Sequence, residues 1–149
     1  MNIVEGLKVV EKKLFDLWFQ QICSCMYQFG FEKLKVWQDA RKLTVEIYRL
    51  TAKFPEREKF GLTNQLRRAS VSVGANIAEG TTRSSAKEQA YFSSIAYGSL
   101  METMSYLITS VDLNFITGED LSLLRDIIQP LSLKINNLRN TQLAKISKG

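Results

Sequence analysis

Apolar residues recur along most of the chain at alternating steps of three and four. Val36, Ala40, Leu43, Ile47 and Leu50 form the first clear run. Those steps hold the side chains on one stripe of an α-helix, whose turn takes 3.6 residues. Pro55 ends this helix, since proline lacks an N–H and crowds the preceding turn. Leu62, Leu66, Ala69, Val73 and Ile77 make a second stripe, and Gly80 stands where a C-terminal helix cap belongs. Ser85 and Glu88 have the S-x-x-E spacing of a capping box, which starts a third helix at about Ser85. Its apolar positions, Phe92, Ile95, Ala96, Leu100, Leu107 and Val111, run without a proline as far as Phe115. A helix of about thirty residues is about 45 Å long, the length of a bundle rod. Thr117, then Glu119 and Asp120, reads as the N-cap and acidic first turn of a fourth helix, where the helix dipole favours negative charge. Leu121, Leu124, Ile128, Leu131, Ile135 and Leu138 stripe it and keep phase through Pro130. That continuity predicts one kinked helix with a hydrogen bond lost near Asp126.

Upstream, Leu7, Val10, Leu14, Leu17, Trp18, Ile22 and Cys25 have helical spacing, with Lys8, Lys12 and Asp16 between them. The whole pattern predicts an all-α protein: an antiparallel up-down-up-down four-helix bundle over residues 29–142, with an extra N-terminal amphipathic helical extension over 1–28. Residues 143–149 are expected to fray. Two prolines and eight glycines in 149 residues are too few for the frequent turns of a sandwich or barrel.

Charge changes this picture. The net +5 is uneven: Lys33 to Arg68 holds ten basic and four acidic residues, a net +6, while residues 69–149 balance at seven of each. A basic third of a chain suits an acidic partner, of which a phosphate backbone is the commonest, or serves solubility. Lys33, Lys35, Arg41, Lys42, Arg49, Lys53, Arg57, Lys59, Arg67, Arg68 and Arg83 are the candidate phosphate contacts, and Trp37 or Tyr48 is available to stack on an unpaired base. Trp37 lies one turn before Arg41, so its indole can carry that cation.

Catalytic chemistry has little material here. Without histidine there is no Ser-His-Asp or Cys-His arrangement, no E-x-x-H di-iron signature and no ordinary zinc site. No phosphate-cradling G-x-x-x-x-G-K-[ST] or G-x-G-x-x-G occurs either. No enzymatic activity, cofactor or metal is therefore expected, a carboxylate and magnesium nuclease being the exception left open. Cys23 and Cys25, two apart, point in different directions on a helix and do not suit a mutual disulfide, which fits a cytoplasmic protein. No run approaches the ~20 apolar residues that cross a bilayer, and no membrane partner is expected.

The middle of the second helix, Ala69 to Ala75, has no bulky side chain. Short side chains let a neighbouring helix approach closely, so Gly74 is expected to pack against Gly98 and Ser99 of the third helix. Each mid-helix glycine costs ~1 kcal/mol relative to alanine, for which close packing compensates. Asn76, Glu79 and Glu102 are expected to form a structural polar cluster within the bundle, completed by Arg67 or Arg68, because buried polar groups require partners.

Three segments, "FEKLKVWQDARKL", "FPEREKFGLTNQLRRASVSVGANIAEGTTR" and "IAYGSLMET", fall in order. Together they resemble the four-helix-bundle proteins encoded by open reading frames inside intervening sequences of bacterial 23S ribosomal RNA genes, over about residues 29–140. That family is similar in turn to the accessory variability determinant of diversity-generating retroelements, a basic ring-shaped homopentamer that binds nucleic acid and a reverse transcriptase. The family's Arg-Arg pair falls on Arg67 and Arg68, its N-I-A-E-G on Asn76 to Gly80, its next arginine on Arg83, and its G-S-x-x-E on Gly98, Ser99 and Glu102. The resemblance implies a four-helix protomer, a ring-like homo-oligomer such as a pentamer, and RNA or DNA binding, with a protein partner such as a reverse transcriptase as the alternative role. The family pattern starts just before "FEKL", which makes Met26 the expected native start.

Overall fold

The computed structural model describes residues 27–146, and the segment expected as an N-terminal extension lies, up to residue 26, outside them. Four long helices carry the fold: α1 (Lys35–Thr51), α2 (Leu62–Gly80), α3 (Ala86–Asp112) and α4 (Gly118–Ile146), with no strand among the described residues. Single 3₁₀ turns at Gly30–Lys33 and Glu56–Glu58 precede α1 and α2. Cross-helix contacts give the directions. Thr44 bonds the Ser70 carbonyl at 3.0 Å and Arg67 bonds Thr51 at 2.8 Å, so α1 and α2 run antiparallel. Ser72–Ser99 at 2.9 Å does the same for α2 and α3, together with the approach of Gly80 to Phe92. Ser93 to Gln142 at 2.7 Å joins the start of α3 to the end of α4, and Lys134 pairs with Asp39 to link α4 to α1.

The stripes read from the sequence meet in one core. Leu43, Ile47, Leu66, Val73, Leu100, Leu107, Leu131 and Ile135 are fully buried, and Leu50, Leu62, Val111, Leu121 and Leu138 pack on their margin. Each such leucine or isoleucine contributes roughly 1.5–3 kcal/mol by leaving water. Phe54 and Phe115, with ring centroids 5.5 Å apart, close the end of the bundle where the α1–α2 and α3–α4 connections meet.

Ends are capped as the side chains dictate. The Ser85 hydroxyl accepts the Glu88 N–H at 3.2 Å and donates to the Glu88 carboxylate at 2.7 Å. At α4, Thr117 accepts the Asp120 N–H at 3.1 Å while Asp120 accepts the Thr117 N–H at 3.0 Å, a reciprocal capping box.

Several expectations require correction. Helix α1 ends at Thr51, before Pro55, where the backbone turns into the bends that lead to Phe54. Gly80 is not a left-handed cap: it closes α2 as a buried helical residue, followed by Thr81 in right-handed geometry. Its missing Cβ instead makes room for Phe92, whose own Cβ would lie 3.1 Å from one placed on Gly80. Helix α4 passes through Pro130 as one element, as its unbroken stripe predicts, and Pro130 has no N–H to offer the carbonyl of Asp126, itself an exposed residue. It continues to Ile146, so residues 143–146, placed in the frayed tail by the sequence, are helical.

Candidate nucleic-acid interface

Helix α1 buries Val36, Ala40, Leu43 and Ile47, so the residues half a turn away form its outer face. Arg41, Lys42 and Arg49 are exposed there, around a shallow depression that also includes Gln38, Val45 and the carboxylate of Glu46. Helix α2 continues the surface: Tyr48, Asn64, Arg67, Arg68, Val71 and Ser72 line a second depression along the α1–α2 seam. Arg41, Lys42 and Arg49 thus line one depression and Arg67 and Arg68 the adjoining one, with Lys42 and Arg49 also reaching the grooves between α1 and α4. Exposed Lys53, Arg57 and Lys59 lie in and beside the α1–α2 connection, continuing this surface at one end. Exposed Lys33 and Lys35 stand at the opposite end of α1, and Arg83 follows α2 at that same end.

These cations differ in what holds them. Arg49 pairs with Glu46 at 2.5 Å and Lys59 with Glu56 at 3.0 Å, while Lys42 is 4.0 Å from Asp39. Such exposed pairs are worth about 0–1 kcal/mol and open readily to a competing anion. Arg83 pairs with Glu79 and lies 4.6 Å from the Phe92 ring centroid; its buried Nε has no partner among the described residues. Lys33, Lys35, Arg41, Lys53, Arg57, Arg67 and Arg68 have no ion-pair partner among the described residues. Arg41 lies 6.0 Å from the Trp37 centroid, as the sequence suggested.

Trp37 is largely buried rather than standing free on the flank. Its ring meets Phe31 edge-on at 5.0 Å, packs on the core, and its Nε1 would lie 3.7 Å from a Cβ on Gly74. Tyr48 is the open ring of the flank, 45% exposed, with the Arg67 guanidinium 4.7 Å from its centroid.

The expected polar cluster does not assemble. Asn76 donates to the Ser72 carbonyl and hydroxyl at 2.8 and 2.9 Å, and Ser72 reaches Ser99, so the polar bridge between α2 and α3 consists of Ser72, Asn76 and Ser99. Glu79 turns outward to Arg83. Glu102 is exposed and accepts the Tyr106 hydroxyl at 2.8 Å, which holds that phenol above its ordinary pKa, aided by some desolvation, while nearby Arg68 pulls the other way. The expected Gly74–Gly98 contact fails too: Gly74 faces Trp37 and Ala40 of α1, and Gly98 faces open space. Ser99 alone of that set lies in the α2–α3 contact.

Among the described residues no three His, Cys, Asp or Glu side chains converge to hold a metal ion, and no helix is long and apolar enough to cross a membrane. The fold and the flank define an all-α, four-helix protein with a cationic outer face. The chain belongs to the family of 23S rRNA-intervening sequence proteins, which it matches over residues 32–137. Its fold is similar to the crystal structure of a protein of unknown function from the S23 ribosomal protein family of Bacteroides thetaiotaomicron VPI-5482. The two are 23% identical with a TM-score of 0.61, over 69% of this chain and 97% of that one. Comparison with curated proteins gives no match.

Proposed function

We propose that this protein is a non-enzymatic, homo-oligomeric nucleic-acid-binding bundle that takes the phosphate backbone of RNA on its α1–α2 flank, in keeping with a family tied to 23S ribosomal RNA. The observation that carries the reading is the gathering of Arg41, Lys42, Arg49, Arg67 and Arg68 on one surface, three of them without a carboxylate partner among the described residues. Cations placed this way neutralise phosphates and release counterions, so affinity falls steeply with salt. Binding of a labelled ribosomal RNA fragment, measured by fluorescence anisotropy from about 50 to 200 mM salt, tests it: the log-log slope is about −0.7 for each phosphate neutralised on a single strand. Replacing Arg41, Lys42 and Arg49 by glutamine is expected to weaken binding and flatten that slope by up to about 2. Affinity indifferent to salt and to the triple substitution would refute the reading.

A second reading has its own observation. Val45, Tyr48 and Val71 are 43–45% exposed among the cations, an apolar patch suited to a protein partner such as a polymerase. In that case the flank docks a protein and its charge is secondary, and complex formation survives high salt.

A further inference from the structure

We propose that the α1–α2 depression is a subsite for one unpaired nucleotide, so that the flank selects single-stranded over duplex nucleic acid. This rests on the nucleic-acid reading and adds to it a strand preference and the side chains that impose it. Arg67 is the centre. Its Nε donates at 2.8 Å to the Thr51 hydroxyl, and Thr51, 3% exposed, in turn donates to the Ile47 carbonyl at 2.8 Å. The Thr51 oxygen is therefore turned toward Arg67 as an acceptor. With the guanidinium also lying over the Tyr48 ring, 4.7 Å from its centroid, both the edge and the face of the group are fixed. Its two terminal nitrogens have no hydrogen-bond or ion-pair partner among the described residues.

A planar cation held in place with its outer N–H donors uncommitted matches the paired oxygens of a phosphodiester, which a guanidinium grips at two points and an ammonium at one. Arg83 makes the contrast: it too lies over a ring, yet its guanidinium ends on Glu79. Arg68, exposed on the next position of α2, lines the same depression and supplies a second charge.

Tyr48 gives the strand preference. It stands nearly half exposed beside Val45 and Val71, a surface a base can cover, and Asn64 at the rim offers amide donors and an acceptor to a base edge. A base inside a duplex is stacked on its neighbours and has no face to offer; an unpaired one does.

The test uses the full chain and a labelled uridine-rich dodecamer, alone or annealed to its complement, at one fixed salt. Wild type is expected to bind the single strand more tightly. Tyr48→Leu should lose about tenfold on the single strand and leave duplex affinity within about twofold, whereas Tyr48→Phe, which keeps the ring, should bind as wild type. Arg67→Lys keeps the charge but not the fork and should also lower the preference; if it perturbs the fold, as its Thr51 bond allows, the exposed Tyr48 pair decides alone. An unchanged strand ratio in Tyr48→Leu, with salt-dependent binding retained, overturns the subsite and leaves the charged-flank reading standing. Absence of salt-dependent binding to either strand overturns both.

Discussion

Gly98 sits in the interior of α3, yet a Cβ built on it meets nothing within 4 Å. Glycine there loses backbone entropy on folding without a packing return. Gly98→Ala is expected to stabilise the fold by about 0.5–1 kcal/mol, read as a higher urea midpoint at unchanged slope. Gly74→Ala should gain a similar amount, since its new methyl would lie 3.7–3.9 Å from Trp37 and Ala40, an ordinary contact distance. Gly80 differs. Its new methyl would stand 3.1 Å from the Cβ of Phe92, an atom anchored to the α3 backbone, so the two helices must part by a few tenths of an ångström. The propensity gain at the end of a helix is small and the displacement opposes it. Gly80→Ala is therefore expected to be the least stable of the three variants, and a midpoint above that of Gly98→Ala would contradict the close approach of α2 and α3.

At the scale of elements, α4 depends on its N-terminal cap. Thr117→Ala removes an acceptor for the Asp120 N–H and is expected to cost about 1 kcal/mol. Asp120 adds a pH dependence. Hydrogen bonds from the Thr117 N–H and hydroxyl hold its carboxyl below the ordinary aspartate range, with Lys53 adding a smaller pull. A carboxyl with a lower pKa folded than unfolded contributes stability in full above its unfolded value, about 3.9, and loses it as pH falls through the folded one. Asp120→Asn should therefore be less stable than wild type at pH 7, and the gap should narrow below about pH 4; a gap independent of pH would show the charge to be irrelevant. Asp120 is only partly buried, so solvent screens the charge and the effect is small. These caps were legible in the sequence because they are local: Thr117 and Asp120, like Ser85 and Glu88, need only a spacing of three. The stripes were legible for the same reason, Val36 through Ile47 reporting which side faces inward. What periodicity does not report is which neighbour a residue meets. Gly74 and Asn76 are two apart on α2, and their rotation about its axis sends one to Trp37 of α1 and the other to Ser72 at the α3 contact. Trp37, read as a free stacking platform, is taken by Phe31, six residues earlier and brought back by a 3₁₀ turn. The Arg67–Thr51 clamp joins residues 16 apart through the α1–α2 connection, and a list of basic residues gives no sign of it.

At the scale of the whole molecule the bundle has two unlike sides. The α1–α2 flank is cationic, whereas α3 carries a single charged side chain, Glu102, between Glu88 and Asp112. Along the outside of α3, Tyr91 is 64% exposed, Met101 37% and Ile108 41%, with Gly98 and Ser105 also open. Contact cores between proteins are depleted of charge and enriched in tyrosine and methionine. If the chain assembles as proposed above, α3 offers a charge-poor face for a second copy, and contact there would leave the cationic flanks outward and repeated around the assembly. Met101→Glu combined with Ile108→Glu would place like charges in every such contact and should reduce the mass measured by light scattering to that of one chain. The functional consequence separates by ligand length. A dodecamer reaches one flank and should bind the double variant as it binds wild type, whereas an RNA long enough to touch several flanks should lose the avidity that linked sites provide, a factor of about 10² or more. A double variant that stays assembled removes α3 from the contact, and one that dissociates without weakening long RNA binding shows that each flank acts alone.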